Sequence, residues 1–328
     1  MSAHPHRSVA AGLIVCAAVA LGGCASVSDK AQNSSLAALA TQEPTPGPGL
    51  EALAPTRGCL AHPYESLPPG KLPLPGHMPA GTFMRRIQQR GHLVVGVDQN
   101  SLGLGYFNPV TDEMEGFDIS MVREIARAIF GTPDSIVYKA ISTGQRESAV
   151  FYADVDIVAS AFSINCERRR HVLFSSVYYR ARQKLLVPEN SRVSRLSDPD
   201  LRGRKVCATK DSTSIRRLAG TGVVPAPVTL RSDCLVALQE GEVAAITADD
   251  TILVGFQRQD KQARMVGECL NIERYGMAMN RRHPEFARFV NAVLARLRHD
   301  GRVAAFRTHW LKGLTAPTDA EISRCDRR

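Results

Sequence analysis

The feature that most restricts the fold is an alternation, repeated twice along the chain, of short apolar runs with amphipathic stretches of helical period. The first set opens on Phe83–Arg90, a short amphipathic stretch, and His92-Leu93-Val94-Val95-Gly96-Val97, an apolar run with the length and branching of a buried strand. After a Gly-rich loop, the stretch from Ile119 to Ile129 puts Met121, Val122, Ile125 and Ile129 on one helical face, and Gly131 ends it. Ile136-Val137-Tyr138 and Ile157-Val158-Ala159 are expected strands, with a helix at Arg146–Phe151 between them. The second set is expected as strand Lys205–Ala208, helix Ser212–Leu218, strand Val228–Leu230, helix Ser232–Glu240 capped by Ser232, strand Ala244–Thr247, a helix from near Asp250, and strand Ala263–Val266. Two amphipathic helices, Pro284–Arg298 and Gly301–Trp310, close the pattern. Parallel strands need a crossover of a dozen or more residues, so strands separated by helices predict parallel sheets, with ligands bound at their carboxyl ends. Two such sets predict two α/β units.

The segment before them reads as an address. Met1–Gly23 has a polar start with Arg7 and an apolar stretch from Val9 to Leu21, the layout of a cleaved signal peptide and too short for a good membrane span. Cys24 directly follows Gly22-Gly23, which resembles the lipobox of bacterial lipoproteins. That resemblance implies acylation of Cys24 and a mature protein lipid-anchored at the outer, extracytoplasmic face of a cell membrane. From Cys24 to residue 82 the chain is rich in Ala, Ser, Pro, Gly and Thr, which predicts a semi-extended stalk.

Removing Cys16 with the signal and assigning Cys24 to lipid leaves Cys59, Cys166, Cys207, Cys234, Cys269 and Cys325. An even set in an oxidising compartment predicts three disulfides, and six cysteines allow fifteen connectivities. Cys59, inside the stalk, suggests that this part is pinned back onto the body, with the equally peripheral Cys325 as one partner. No CxxC pair occurs, and no metal or other cofactor is expected. The formal charge of +9 comes with scattered basic residues, arginine more often than lysine, in clusters no longer than such runs as Arg168-Arg169-Arg170 and Arg281-Arg282. It fits attraction to an anionic membrane surface, and no nucleic-acid partner is expected outside the cell.

Several motifs then occur in a telling order: Gly96-Val97-Asp98-Gln99, Leu102-Gly103-Leu104-Gly105, Gly116-Phe117-Asp118, Arg146-Glu147, Ala161-Phe162-Ser163-Ile164 with Glu167-Arg168, and Tyr178-Tyr179. Lys210 to Ser214, Asp249-Asp250, Tyr275-Gly276 and a closing helix to Trp310 follow. Together, over roughly Met84 to Leu314, they resemble the bacterial solute-binding proteins of family 3, and more narrowly the glutamate-binding lipoproteins of ABC importers. The resemblance implies the two-lobed periplasmic-binding-protein fold of type II, hinged on two crossover strands. It divides the chain into residues 1–23 (signal), 24–82 (stalk), 83–182 (lobe 1), 183–276 (lobe 2) and 277–328 (return to lobe 1), with crossovers near Arg182–Leu185 and Arg274–Met277.

The resemblance also implies a site for a free amino acid. Burying an α-carboxylate and an α-ammonium together requires a cation for one and a carboxylate for the other. Arg168 matches the family arginine that grips the α-carboxylate, helped by Ser163 and Ala161, although Asn165-Cys166 departs from the family motif. Asp249 is expected to take the ammonium, while Thr213 and Ser214 offer donors across the cleft. Arg146 stands where acidic-amino-acid binders place an arginine for the distal carboxylate, and Lys210 adds a candidate second cation. Asp98 opposes them, standing near the position glutamine binders use, and would repel an acidic ligand unless paired. Glutamate or aspartate is expected first, asparagine or glutamine second.

Bland alternatives exist for these residues: Arg146 starting a helix, Asp249 capping one, Lys210 on the surface, Trp310 and the tyrosines packing the core. Cys207 and Cys234 fall within one lobe and are expected to meet; Cys166 and Cys269 remain for each other, near the hinge, or for the termini. The leading function is an ABC-importer binding protein, a monomer that presents its ligand to a permease. An amino-acid sensor signalling to a membrane partner would use the same site. A dehydratase-type enzyme ranks last, since the chain shows no Ser-His-Asp order, phosphate loop or metal cluster.

Overall fold

The computed structural model of the chain describes residues 57–326, so the signal segment and Cys24 lie outside the described residues. In chain order come α1 (Arg57–Ala61), α2 (Phe83–Arg90), β1 (Leu93–Val97), β2 (Asn100–Ser101), β3 (Gly105–Asn108), β4 (Glu113–Glu115), α3 (Phe117–Phe130), β5 (Ile136–Ala140), α4 (Arg146–Phe151), β6 (Ile157–Val158) and β7 (Val172–Phe174). Thr82 Oγ1 caps α2 by accepting from Arg85 N at 3.2 Å, and Gly91 ends it in the left-handed conformation. Gly116 admits the start of α3 beneath the Gly-rich loop: its φ is +128°, and a Cβ there would lie 2.2 Å from Leu104 O. That loop, expected to be irregular, folds as a small antiparallel sheet in the order β2-β3-β4.

The second half comprises β8 (Tyr179–Pro188), β9 (Lys205–Thr209), α5 (Thr213–Arg216), β10 (Val224–Val228), α6 (Arg231–Gln239), β11 (Ala245–Asp249), α7 (Asp250–Gln259), β12 (Ala263–Tyr275), β13 (Ala278–Asn280), α8 (Pro284–His299), α9 (Arg302–Trp310) and α10 (Asp319–Asp326). One five-stranded sheet runs β5-β1-β6-β13-β7 and the other β10-β9-β11-β8-β12. In each, the three strands joined by helices are parallel, as the alternation predicts, and an antiparallel strand extends the sheet. These sheets are the cores of two lobes. The strand expected at Val228–Leu230 lies earlier, at β10, because Pro225 and Pro227 are tolerated on the edge of a sheet. Helix α6 begins one residue before the expected Ser232, and Asp233 Oδ2 accepts the Leu230 N–H at 3.2 Å.

The first lobe's core joins Val95, Phe117, Ile125 and Ile157 to Phe286, Val290 and Leu294 of α8, all essentially inaccessible. Fully burying such a side chain contributes roughly 1.5–3 kcal/mol, which is what brings the C-terminal helices back to the first sheet. Two crossovers link the lobes. They pair with each other as an antiparallel ladder from Tyr179↔Tyr275 to Gln183↔Asn271, with a register shift between Val266 and Asn271.

Disulfides join Cys59 to Cys166, Cys207 to Cys234 and Cys269 to Cys325. The Cys207–Cys234 pairing is the expected one; a Cys166–Cys269 bond and a Cys59–Cys325 bond are not formed. The reason is where the terminal segments run. Residues 57–82, expected as a stalk, lie against the body: Arg169 Nη1 donates to His62 O (2.7 Å), Asn291 Nδ2 to Leu67 O (2.6 Å) and Gly76 N to Ile129 O (2.8 Å). That course carries Cys59 to Cys166. Helix α10 instead crosses the hinge, where Asp326 pairs with Arg274 and Glu321 with Arg182, and so delivers Cys325 to Cys269.

Candidate functional site

The carboxyl ends of the parallel strands of both sheets meet around one small cavity. Lobe 1 supplies Thr143, Arg146, Ala161 and Ser163; lobe 2 supplies Thr209, Ser212, Thr213, Ser214, Arg231, Thr247, Ala248, Asp249 and Ile252. Its volume is ≈ 30 Å³. A water needs about 10–15 Å³ of such space, so the cavity in this arrangement holds no more than two or three waters. Larger grooves of ≈ 650 Å³ behind the hinge and ≈ 1040 Å³ on lobe 2 have no lining residue with a buried, unpartnered polar atom.

The lobe 1 wall is built on a turn after β6. Ala161 sits at φ +45°, a conformation that is uncommon outside glycine and costs about 1–3 kcal/mol. Asp118 holds it there: the carboxylate accepts Ala161 N at 2.8 Å and the Tyr178 hydroxyl at 2.7 Å, and burial raises its pKa. The turn aims the carbonyls of Ser160 and Ala161 at Arg146 Nη1, at 3.2 and 3.1 Å, while Nε donates to Thr143 O at 2.8 Å. Arg146 is 3 % exposed, and its guanidinium lies over the Phe162 ring. No carboxylate among the described residues lies within 4 Å of it. Burial, then the Arg168 and Arg231 charges, hold its pKa well below the ordinary arginine value.

Opposite stands Asp249, at the end of β11. It occupies the position before α7, yet its side chain makes no cap hydrogen bond; Tyr275 donates to Oδ2, while Oδ1 is buried without a partner. Burial, reinforced by the Glu273 charge, pushes its pKa up to about 8. Thr143 Oγ1 is the other cavity-lining atom buried without a hydrogen bond. The cavity thus presents a cation lacking an anion on one wall and an acceptor lacking a donor on the other.

The expected residues divide. Arg146, Ala161, Ser163, Thr213, Ser214 and Asp249 come together at the cavity. Arg168 is buried beside it but does not line it: Nη1 donates to Ser163 O (2.7 Å), Nη2 to Asp211 O of lobe 2 (3.2 Å), and Nε faces Glu147 at 3.6 Å. Lys210 is exposed and off the site, because the turn at Asp211 (φ +60°) turns the chain inward only from Ser212. Asp98 does not face the cavity; it accepts Asn100 N at 2.7 Å and pairs with Arg231 at 3.4 Å. Arg231, Thr143 and Tyr275 are the important residues that sequence reasoning missed. For Tyr275 the motif Tyr275-Gly276 was a usable pointer; for Arg231 none existed.

Residues 93–313 match the bacterial extracellular solute-binding proteins, family 3. The glutamine-binding protein of Geobacillus stearothermophilus is 32% identical over 203 residues, 60% of this chain and 76% of that protein. The glutamate-binding protein GluB of Corynebacterium efficiens is 30% identical over 233 residues, 67% of this chain and 79% of that protein. Among solved structures, an ancestral arginine-binding protein bound to arginine has a TM-score of 0.61 at 25% identity, covering 67% of this chain and 98% of that one. The cysteine-binding protein from Campylobacter jejuni has a TM-score of 0.67 at 19% identity, covering 74% and 98%, a likeness of fold. The matched span contains both sheets and both crossovers, and the chain therefore belongs to the bacterial extracellular solute-binding proteins, family 3, as a binding protein rather than an enzyme.

Proposed function

We propose that the protein captures an acidic amino acid outside the cytoplasm, glutamate or aspartate ahead of glutamine or asparagine, and presents it to an ABC permease. One observation carries the reading: Arg146 without a carboxylate and Asp249 Oδ1 without a donor face a shared cavity from opposite lobes. A buried cation with no carboxylate in contact is unfavourable, and so is a buried carboxyl oxygen with no hydrogen bond; a zwitterion relieves both at once. Its ammonium meets Asp249; its carboxylates meet Arg146 and the hydroxyls of Thr143, Ser163, Thr213 and Ser214. Arg168 is released when the lobes part, because its bond to Asp211 O spans the cleft, and its Nη2 is then free to meet an entering carboxylate on lobe 1.

Acidic preference follows from the cations. The objection that Asp98 repels an anion lapses, since Arg231 neutralises it. A cationic side chain would instead meet Arg146. The curated relatives named above bind glutamine or glutamate, which brackets the same ligand size. Anchoring through acylated Cys24 belongs to the same proposal and keeps the loaded protein near its permease.

Calorimetric titration of the full chain with glutamate, aspartate, glutamine, asparagine and arginine tests this. The acidic pair is expected to bind tightest, and Arg146→Ala to abolish that preference. Tighter binding of arginine, or equal binding of acid and amide, would refute the assignment.

A further inference from the structure

Arg231 is the first residue of α6, in lobe 2, yet its guanidinium is bonded almost wholly to lobe 1. Nη1 donates to Ser101 Oγ at 3.1 Å and lies 3.4 Å from Asp98 Oδ2; Nη2 donates to Ser160 O at 3.0 Å. Asp98, Ser101 and Ser160 all lie just beyond or at the carboxyl end of a lobe 1 strand. Arg231 is 4 % exposed and Asp98 8 %, so the pair is made in a site from which water is excluded. Arg231 also lines the cavity, within the same small space as Arg146.

Resting on the reading of the cleft as an amino-acid site, we propose that Arg231 is a closure-delivered specificity residue: it latches the lobes and, by neutralising Asp98 only when they shut, makes the closed site accept an anionic side chain. With the lobes apart Asp98 loses its cation partner and keeps only the Asn100 N–H on lobe 1, so the cleft does not favour an acid over its amide. Closure brings the guanidinium across. The carboxylate that would have repelled the ligand is then paired, and the cavity is left with the uncompensated charge of Arg146. Discrimination between acid and amide is made at the closing step, through a lobe 2 residue, rather than at first encounter with lobe 1. Charge-assisted hydrogen bonds in a water-poor site are the strong ones, which lets three of them bias the open-to-closed equilibrium as well.

The test uses the full chain as wild type, Arg231→Gln, Arg231→Lys, Asp98→Asn and the double variant Arg231→Gln/Asp98→Asn. Glutamate and glutamine affinities are measured by calorimetry. Lobe separation without amino acid is measured by electron–electron resonance between spin labels at V137C and V224C. Arg231→Gln is expected to lower the glutamate-to-glutamine affinity ratio about ten-fold or more, the equivalent of one charge-assisted bond. Arg231→Lys keeps the charge and most of the ratio. The double variant recovers the ratio while binding both ligands more weakly, because the latch stays broken. The label distance lengthens in Arg231→Gln. An equal loss of both ligands in Arg231→Gln, or a double variant that fails to recover the ratio, overturns the specificity role. If the wild type binds neither amino acid, the functional reading fails by itself and the specificity role with it; the label distances still decide the latch, which an unchanged distribution in Arg231→Gln would refute.

Discussion

Asp249 holds the position before α7, where a carboxylate ordinarily caps a helix, but its oxygens point elsewhere: one to Tyr275, one to no partner. With burial and Glu273 raising its pKa to about 8, the closed, ligand-free protein favours the protonated form at pH 7. On the proposed reading a bound ammonium reverses this and favours the anion, so binding at pH 7 is expected to release a proton. Two consequences follow. Binding enthalpy depends on the ionisation enthalpy of the buffer, and affinity falls as pH drops through the Asp249 pKa. Asp249→Asn is expected to abolish proton release and to weaken binding about 100-fold or more, given the roughly 3–5 kcal/mol that follows from breaking a buried pair. Calorimetry in two buffers checks both; an unchanged proton count in the variant would remove Asp249 from the site. For stability the sign is opposite to that of an ordinary paired carboxylate. The folded state binds more protons than the unfolded between the unfolded pKa, near 3.8, and about 8, so the ligand-free protein loses this contribution as pH rises through that window.

Helix α6 shows how an element carries a cavity-lining residue into place. Cys234 follows Arg231 by one helical turn and is bonded to Cys207 in β9, both buried. The bond therefore ties the helix that bears Arg231 to the strand that ends at Thr209 in the cavity wall. The pair closes a loop with a sequence separation of 27. In the chain-entropy description such a loop stabilises by about 3–4 kcal/mol. A Cys207→Ala/Cys234→Ala variant is expected to lose about that much in urea unfolding, and a loss below about 1 kcal/mol would show that packing alone holds α6. Element bounds were legible wherever periodicity was strong: α2 and α4 fall at the expected residues, and α8 differs by one. The short strands β2, β3, β4, β7 and β13 were not legible, because their two to four residues carry too little pattern and exist through pairing with distant partners.

At the scale of the whole molecule, the two lobes are joined at the β8–β12 ladder, and α10 spans that junction through Cys269–Cys325 and the pairs Arg182–Glu321 and Arg274–Asp326. On the proposed reading, a cavity of ≈ 30 Å³ requires the lobes to part before an amino acid reaches it. Small-angle scattering is expected to give a radius of gyration that contracts when ligand is added. A constant radius at saturating ligand would argue against hinge closure as the capture step. The sequence by itself determined the two α/β units, the family, and the side chains Arg146, Asp249, Thr213 and Ser214 of the cavity wall, since period, turn residues and ordered motifs are local properties of the chain. The tertiary structure alone decided the charges that count. Lys210 and Arg231 are both cations in lobe 2, and only the direction of the turn at Asp211 and the placement of α6 send one to solvent and the other to Asp98. It also decided which cysteines meet, because the wrapping of residues 57–82 and of α10 depends on the packed surface beneath them. An ion pair between residues far apart in sequence is a property of two surfaces brought together, and no local pattern in the chain records it.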